Sequence, residues 1–195
     1  MPLQGKIYNV LIAGVGGQGV LLAGEILALA FMRAGFDVKK TETHGMAQRG
    51  GSVVSHVRAG QKVYSPLIPF GEADALLALE KLEALRWANY LKPEGILVIN
   101  EQELKPLAVS TGRAHYPQDI YDRLSKFKIK RVEASKRAEC LGDPRLGNSI
   151  VLGVLSLYLD LQEEEWKWAF TERLPQRLLS SNLEAFRLGR ELSLS

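Results

Sequence analysis

The chain has 195 residues, 46% hydrophobic and 24% charged, a globular balance that predicts one domain over 1–195 whose core needs neither disulfides nor a structural metal. Its net charge of +3, from 25 Lys and Arg against 22 Asp and Glu, is too small to mark a nucleic-acid binder, and no apolar run approaches the ~20 residues of a membrane span. The single cysteine, Cys140, excludes an internal disulfide and cannot alone hold an iron–sulfur cluster or a tetrahedral zinc, so no metal site is expected and a reducing, cytoplasmic setting is.

Residues 7–13, IYNVLIA, form a short apolar run closed by glycines, the pattern of a buried parallel strand. From Val20 to Arg33 the apolar residues fall at helical spacing, and Gly35 is a helix stop. Phe36–Thr43 reads as a second strand and Ser52–Arg58 as a third. Gly60-Gln61 then predicts a hairpin turn into KVYSPLI. DALLALE at 74–80 reads as a buried strand, EKLEALRWANYL as an amphipathic helix, and GILVIN at 95–100 as a strand after a Pro-Glu-Gly turn.

Residues 101–122 carry prolines and read as irregular; KIKRVEA at 128–134 reads as a strand, with a short helix on to Cys140. The basic residues from Arg123 to Arg137 read as a solvated face. Asn148–Leu161 is so apolar that it must be covered on most sides, by the core or by a partner. Residues 162–195 form a helical C-terminal extension, two amphipathic helices broken at Pro175. The consistent picture is an α/β protein, a three-layer α/β/α Rossmann-like domain with a mixed sheet.

Two stretches carry candidate chemistry. GVGGQG places Gly14, Gly16 and Gly19 in the G-x-G-x-x-G spacing, with Gly17 and Gln18 between them, after a strand and before a helix. Such a turn offers free backbone N–H groups to a phosphate; it also serves simply to let helix and strand pack closely. A dinucleotide reading needs an acidic ribose ligand about 20 residues on, and Asp37 and Glu42 are the candidates. THGMAQRGGS is the second stretch. Gly45, Gly50 and Gly51 permit close backbone approach, and His44, Gln48 and Arg49 supply directional donors. Arg49 is suited to clamping a phosphate or carboxylate, or to a structural ion pair. His56, alternating with valines, reads as a sheet histidine. Gly142-Asp143-Pro144 with Asn148 lacks the second glycine and the spacing of a thiamine diphosphate site. No catalytic residue emerges.

GVGGQGVLLAGEILA, then ETHGMAQRGGSVVSHVR, then KVYSPLIPFGEAD, in that order, closely resemble the γ-type domain of 2-oxoacid:ferredoxin oxidoreductases, and within it the small (β) subunit of the indolepyruvate branch. The resemblance runs over essentially the whole chain, including NYLKPEG and NLEAFRLGRE. It implies a complex that decarboxylates an aryl 2-oxoacid on thiamine diphosphate with Mg²⁺, passes electrons through [4Fe–4S] clusters to ferredoxin, and transfers the acyl group to coenzyme A. It further implies that the thiamine and the clusters belong to a large (α) partner subunit, that this chain binds no cofactor alone, and that neither nucleic acid nor membrane is a partner. The glycine turn and the Arg49 loop would then face the partner's active-site region. The competing reading is a free-standing oxidoreductase binding NAD or FAD at GVGGQG.

Overall fold

A computed structural model of the chain describes residues 6–45 and 51–192. In chain order the elements are β1 (Tyr8–Val15), α1 (Val20–Arg33), β2 (Asp37–His44), β3 (Ser52–Gly60), β4 (Ala73–Ala78), α2 (Lys81–Trp87), β5 (Leu91–Asn100), α3 (Leu107–Ser110), α4 (Ile120–Leu124), β6 (Lys128–Val132), α5 (Ala134–Cys140), α6 (Gly147–Ser156), α7 (Glu163–Arg173) and α8 (Gln176–Glu191). Single 3₁₀ turns, Ala88–Tyr90 and Pro144–Leu146, follow α2 and precede α6.

Six strands form one sheet in the order β2-β3-β1-β4-β5-β6. β3 runs antiparallel to both β1 and β2, while β1, β4, β5 and β6 are parallel neighbours. The sheet is therefore mixed, as expected. Along each central strand the side chains alternate between two cores, because successive residues of a strand point to opposite faces. Val10 and Ile12, Ala75 and Leu77, and Ile96 and Val98 join one core with α1, α5, α6, α7 and α8. Leu11 and Ala13, Leu76 and Ala78, and Leu97 and Ile99 join the other with α2 and α4. Helices covering both faces give the continuous apolar runs of β1, β4 and β5, and the three layers follow.

The C-terminal helices belong to the first of these layers. Trp166 and Phe170 of α7 and Phe186 of α8 are fully buried, with ring centroids 5.3–5.4 Å apart. All ten residues of α6 are buried, so the core of this chain is what covers the apolar 148–161 stretch. Its helix stops at Ser156, five residues before the sequence pattern fades.

Three local expectations are corrected. KVYSPLI forms no hairpin strand, because β3 already has β1 on one side and β2 on the other and offers no free edge. Pro66 and Pro69 also lack the N–H a ladder needs. The segment is held instead by Arg58, whose guanidinium donates to the carbonyls of Ser65 and Leu67 at 3.0 and 3.1 Å. Pro93-Glu94-Gly95 lies inside β5, which starts at Leu91, and bulges from the ladder there: Leu91 pairs with Ala73 but Ile96 with Ala75. Within 101–122, α3 and α4 are short helices.

His56 is buried in β3, and its Nδ1 accepts the N–H of Ile68 at 3.2 Å. That bond requires an unprotonated Nδ1, and burial holds the imidazole pKa below its ordinary value. A folded-state pKa below the unfolded one contributes stability above the ordinary histidine range, about pH 6.5, that is lost as pH falls through the folded value. Urea unfolding between pH 7.5 and 5 should therefore show a stability loss on acidification that His56→Gln reduces; an unchanged pH slope in the variant contradicts this.

Candidate functional site

Because β2 and β3 form a hairpin antiparallel to one another, the 45–51 connection leaves the sheet at the same edge as the carboxyl ends of β1, β4 and β5. The pairings Gly14 with Val53 and Val15 with Ser52 place the glycine turn directly beside the end of that connection. The Gly16 N–H donates to the Gly51 carbonyl at 2.9 Å, and the Gly45 N–H to the Ser52 carbonyl at 2.8 Å. The two stretches singled out in the sequence, 14–19 and 43–52, thus meet at one edge although about 30 residues separate them, roughly the span of a βαβ unit. His44 ends β2 and is exposed. Gln48, Arg49 and Gly50 lie outside the described residues.

The turn needs its glycines for two reasons. Gly17 and Gly19 have φ of +100° and +82°, the left-handed region that side chains disfavour. A Cβ on Gly14 would lie 2.8 Å from Val20 Cγ2 and 3.1 Å from Leu79 Cβ, so β1 and α1 could not keep their approach. Both readings of the motif remain physically served: it packs closely, and it also leaves the helix N-terminus open.

Gln18 does not point at open space. Its Oε1 accepts the Val15 N–H at 2.7 Å, and its Nε2 donates to the Leu79 carbonyl at 2.9 Å and to Gln102 Oε1 at 2.7 Å. The side chain bridges the carboxyl ends of β1 and β4. That is the switch point of the sheet, since α1 after β1 and α2 after β4 cover opposite faces. It is where a dinucleotide would cross in a doubly wound fold. Gln18 is a clamp within the protein.

The acidic ribose ligand of the dinucleotide reading is likewise engaged elsewhere. Glu42 pairs with Lys40. Asp37 begins β2, at the far edge of the sheet, where it accepts from Lys39 and from the Val63 N–H. Glu80, just past the end of the parallel neighbour β4, is buried; it caps α2 through the Glu83 N–H and accepts from Leu104 N–H and Tyr116 Oη. Tyr116 in turn has its pKa pushed well up by burial and by that carboxylate.

A second buried carboxylate stands beside the start of β3. Glu83 accepts from Ser52 Oγ and from Trp87 Nε1, and pairs with Arg86 at 3.1 Å. Burial raises its pKa despite these donors. It fixes the first residue of β3 and so the point where the loop returns to the sheet.

On the α1 side of the turn lies a cleft of ≈ 440 Å³. Its walls are the turn itself, the ends of β4 and β5 at Leu79 and Asn100, the starts of α5 and α6 at Ser135 and Gly147-Asn148, and α8 at Leu178 and Asn182. Asn100 is held by Ser135 Oγ at 2.9 Å and by the Leu79 carbonyl at 3.2 Å. Asn182 accepts from Ser149 Oγ at 2.6 Å and donates to the Leu178 carbonyl at 2.8 Å. Sequence reasoning missed this amide-rich wall. Its only signals were single amides ending an apolar strand, at Asn100, and opening an apolar helix, at Asn148.

The groups that the sequence resemblance implies for the complex do not fit here. Asp143, in the Gly142-Asp143-Pro144 stretch, caps the 3₁₀ turn through the Arg145 N–H and binds the Arg145 guanidinium with two oxygens; that pairing lowers its pKa to about 2. Cys140 is an exposed free thiol, and a [4Fe–4S] cluster takes four cysteines. Among the described residues no three His, Cys, Asp or Glu side chains are grouped to hold a metal ion, and no helix is long and apolar enough to cross a membrane.

The family model described as pyruvate ferredoxin/flavodoxin oxidoreductase matches residues 9–192. An indolepyruvate oxidoreductase subunit IorB of Thermococcus kodakarensis is 39% identical over 94% of this chain and 95% of its own, and one of Archaeoglobus fulgidus is 40% identical over 96% of each. Among solved structures, the gamma subunit of a keto/oxoacid ferredoxin oxidoreductase from Geobacter sulfurreducens superposes with a TM-score of 0.72 at 25% identity, covering 96% of this chain and 98% of that one. A 2-oxoglutarate:ferredoxin oxidoreductase from Magnetococcus marinus shares the fold, with a TM-score of 0.77 at 23% identity over 98% of this chain and 32% of that one. With the match running from β1 to the end of α8, the chain belongs to the pyruvate ferredoxin/flavodoxin oxidoreductase family.

Proposed function

We propose that this chain is the small subunit of an indolepyruvate, or aryl 2-oxoacid, ferredoxin oxidoreductase, and that it supports a coenzyme A-dependent oxidative decarboxylation carried out on a large (α) subunit. The observation that carries this reading is the 38–40% identity to three archaeal subunits of that name over at least 94% of the chain. Thiamine diphosphate, Mg²⁺ and the [4Fe–4S] clusters are assigned to the large subunit, because the donor sets they require do not fit this one. Ferredoxin takes the electrons through the complex, which works in the cytoplasm.

In this reading the contribution of the chain is a shaped surface. The 44–51 connection, with His44, Gln48, Arg49, Gly50 and Gly51, is assigned a contact with the partner's active-site region. Its two ends are fixed by the Gly45–Ser52 and Gly16–Gly51 bonds and by Glu83 under Ser52. A guanidinium on such a loop suits the phosphates of coenzyme A. Viologen reduction by indolepyruvate should require both subunits. Arg49→Ala in the assembled complex should raise the KM for coenzyme A about tenfold, the loss of one charge-assisted hydrogen bond, and leave the KM for the 2-oxoacid near wild type. An intact complex with an unchanged coenzyme A KM contradicts the role given to Arg49. Activity from the large subunit alone contradicts the subunit reading itself.

A further inference from the structure

We infer that Tyr64, Leu67 and Phe70 form the surface on which the large subunit docks; the inference rests on the subunit reading above and adds to it the face of the chain that the partner covers.

The KVYSPLIPFGEAD stretch runs from the end of β3 into β4 without forming a strand of its own. Val63 and Ile68 are buried, yet Tyr64 is 88% exposed, Leu67 57% and Phe70 71%. Of the large apolar side chains that stand exposed among the described residues, only these three share one short segment.

The segment is anchored at almost every second residue. Asp37 of β2 accepts the Val63 N–H at 2.9 Å. Arg58 of β3 donates to the Ser65 and Leu67 carbonyls, and His56 of β3 accepts the Ile68 N–H. The Asn89 carbonyl accepts the Gly71 N–H at 3.0 Å. Holding apolar side chains out in water gains nothing for the free chain. A partner that covers them meets a backbone already ordered, so less freedom is lost on binding. Anchored aromatic side chains are also the residue type on which interface affinity concentrates.

Two observations select the large subunit over a second copy of this chain. The first is area. The three side chains expose roughly 400 Å², taking about 200 Å² for a whole aromatic side chain, whereas a stable interface buries about 800 Å² on each partner. Set against its own copy the patch falls short by about half; a partner that extends onto adjoining surface does not. The second is continuity. Phe70 packs on Tyr90 with ring centroids 4.2 Å apart, Tyr90 on Trp87 at 5.4 Å, and Trp87 Nε1 donates to Ser52 Oγ at 3.3 Å. Ser52 follows the 44–51 connection that is assigned to the partner, so one partner lying along this aromatic run covers both ends of it. No charged residue occurs from Val63 to Gly71, which makes the complementary feature of the large subunit an apolar hollow that receives Tyr64 and Phe70.

The test is titration of the tagged full chain with its large subunit, followed by coenzyme A-dependent viologen reduction in the reconstituted complex. The double variant Tyr64→Ser/Phe70→Ser should raise the Kd about thirtyfold, the effect of losing interfacial aromatic anchors. Its lost activity should return when the large subunit is in excess, as a docking defect requires and a damaged site would not allow. Tyr64→Ser alone, at a side chain almost wholly in water, should leave the thermal unfolding of the chain unchanged and still weaken binding. Leu107→Ser, at another exposed side chain, on α3, should bind as wild type does. Folded Tyr64 and Phe70 variants that bind the large subunit as tightly as wild type overturn the docking surface and leave the subunit reading intact. A wild-type chain that does not bind the large subunit overturns that reading and the surface with it. Self-association of the isolated chain that the double variant abolishes, with binding to the large subunit unaltered, would put a second copy on the patch and overturn the inference.

Discussion

Gly153→Ala is expected to destabilise the chain by about 2–3 kcal/mol, the upper range of overpacking a close contact, even though alanine is the better helix former by about 1 kcal/mol. Gly153 sits in the middle of α6, and its Cβ would lie 2.0 Å from the Phe186 carbonyl oxygen of α8. The reciprocal contact is as tight: a Cβ on Gly189 would lie 1.9 Å from the Ile150 carbonyl oxygen. Neither obstacle is a side chain that can rotate away, so the two helices must separate. Their separation would also stretch the Ser149–Asn182 bond of 2.6 Å and the Arg190–Ser156 bond of 2.8 Å. Gly189→Ala should behave alike, and the double variant should cost less than the sum, because both relieve one contact. Urea midpoints for the three variants decide it; a stabilised Gly153→Ala would mean that the helices are not in backbone contact.

The second large effect is at Gln18. Gln18→Ala removes the acceptor of the Val15 N–H and the donor to Leu79 and Gln102 together. Leaving such part-buried groups without partners costs about 1–3 kcal/mol each before water compensates, so a net loss of about 2–3 kcal/mol is expected. Gln102→Ala removes only one of these links, together with a 3.4 Å contact from Asn100, and should cost about 1 kcal/mol. Equal losses in the two variants, or none at Gln18, would contradict the clamp. A variant that stayed stable and gained dinucleotide binding would revive the competing reading of the motif.

The turn at 14–19 and the loop at 43–51 were both legible in the sequence, because glycine spacing and a cluster of directional donors are local signals. Their meeting was not, since it depends on β2 and β3 inserting as an antiparallel hairpin beside β1. The layers were readable from the unbroken apolar runs of β1, β4 and β5, which only a sheet covered on both faces requires. KVYSPLI misled because alternation alone cannot tell that β3 has no free edge. The role of Gln18 as a clamp was not legible for a related reason: only the register of β1 against β4 brings the carbonyl of Leu79 within its reach. The amide wall of the cleft is drawn from residues 100 to 182, too far apart for any spacing rule to join.

The central claim is that this chain works as the small subunit of a larger 2-oxoacid oxidoreductase. Anaerobic purification of the tagged full chain from its native host tests it most directly, with iron and thiamine analysis of the eluate and an assay of coenzyme A-dependent viologen reduction by indolepyruvate. A large subunit carrying iron, sulfide and thiamine diphosphate, eluting together with that activity, is the predicted result. The chain eluting alone, without iron, and reducing or oxidising a substrate with NAD or FAD would contradict it.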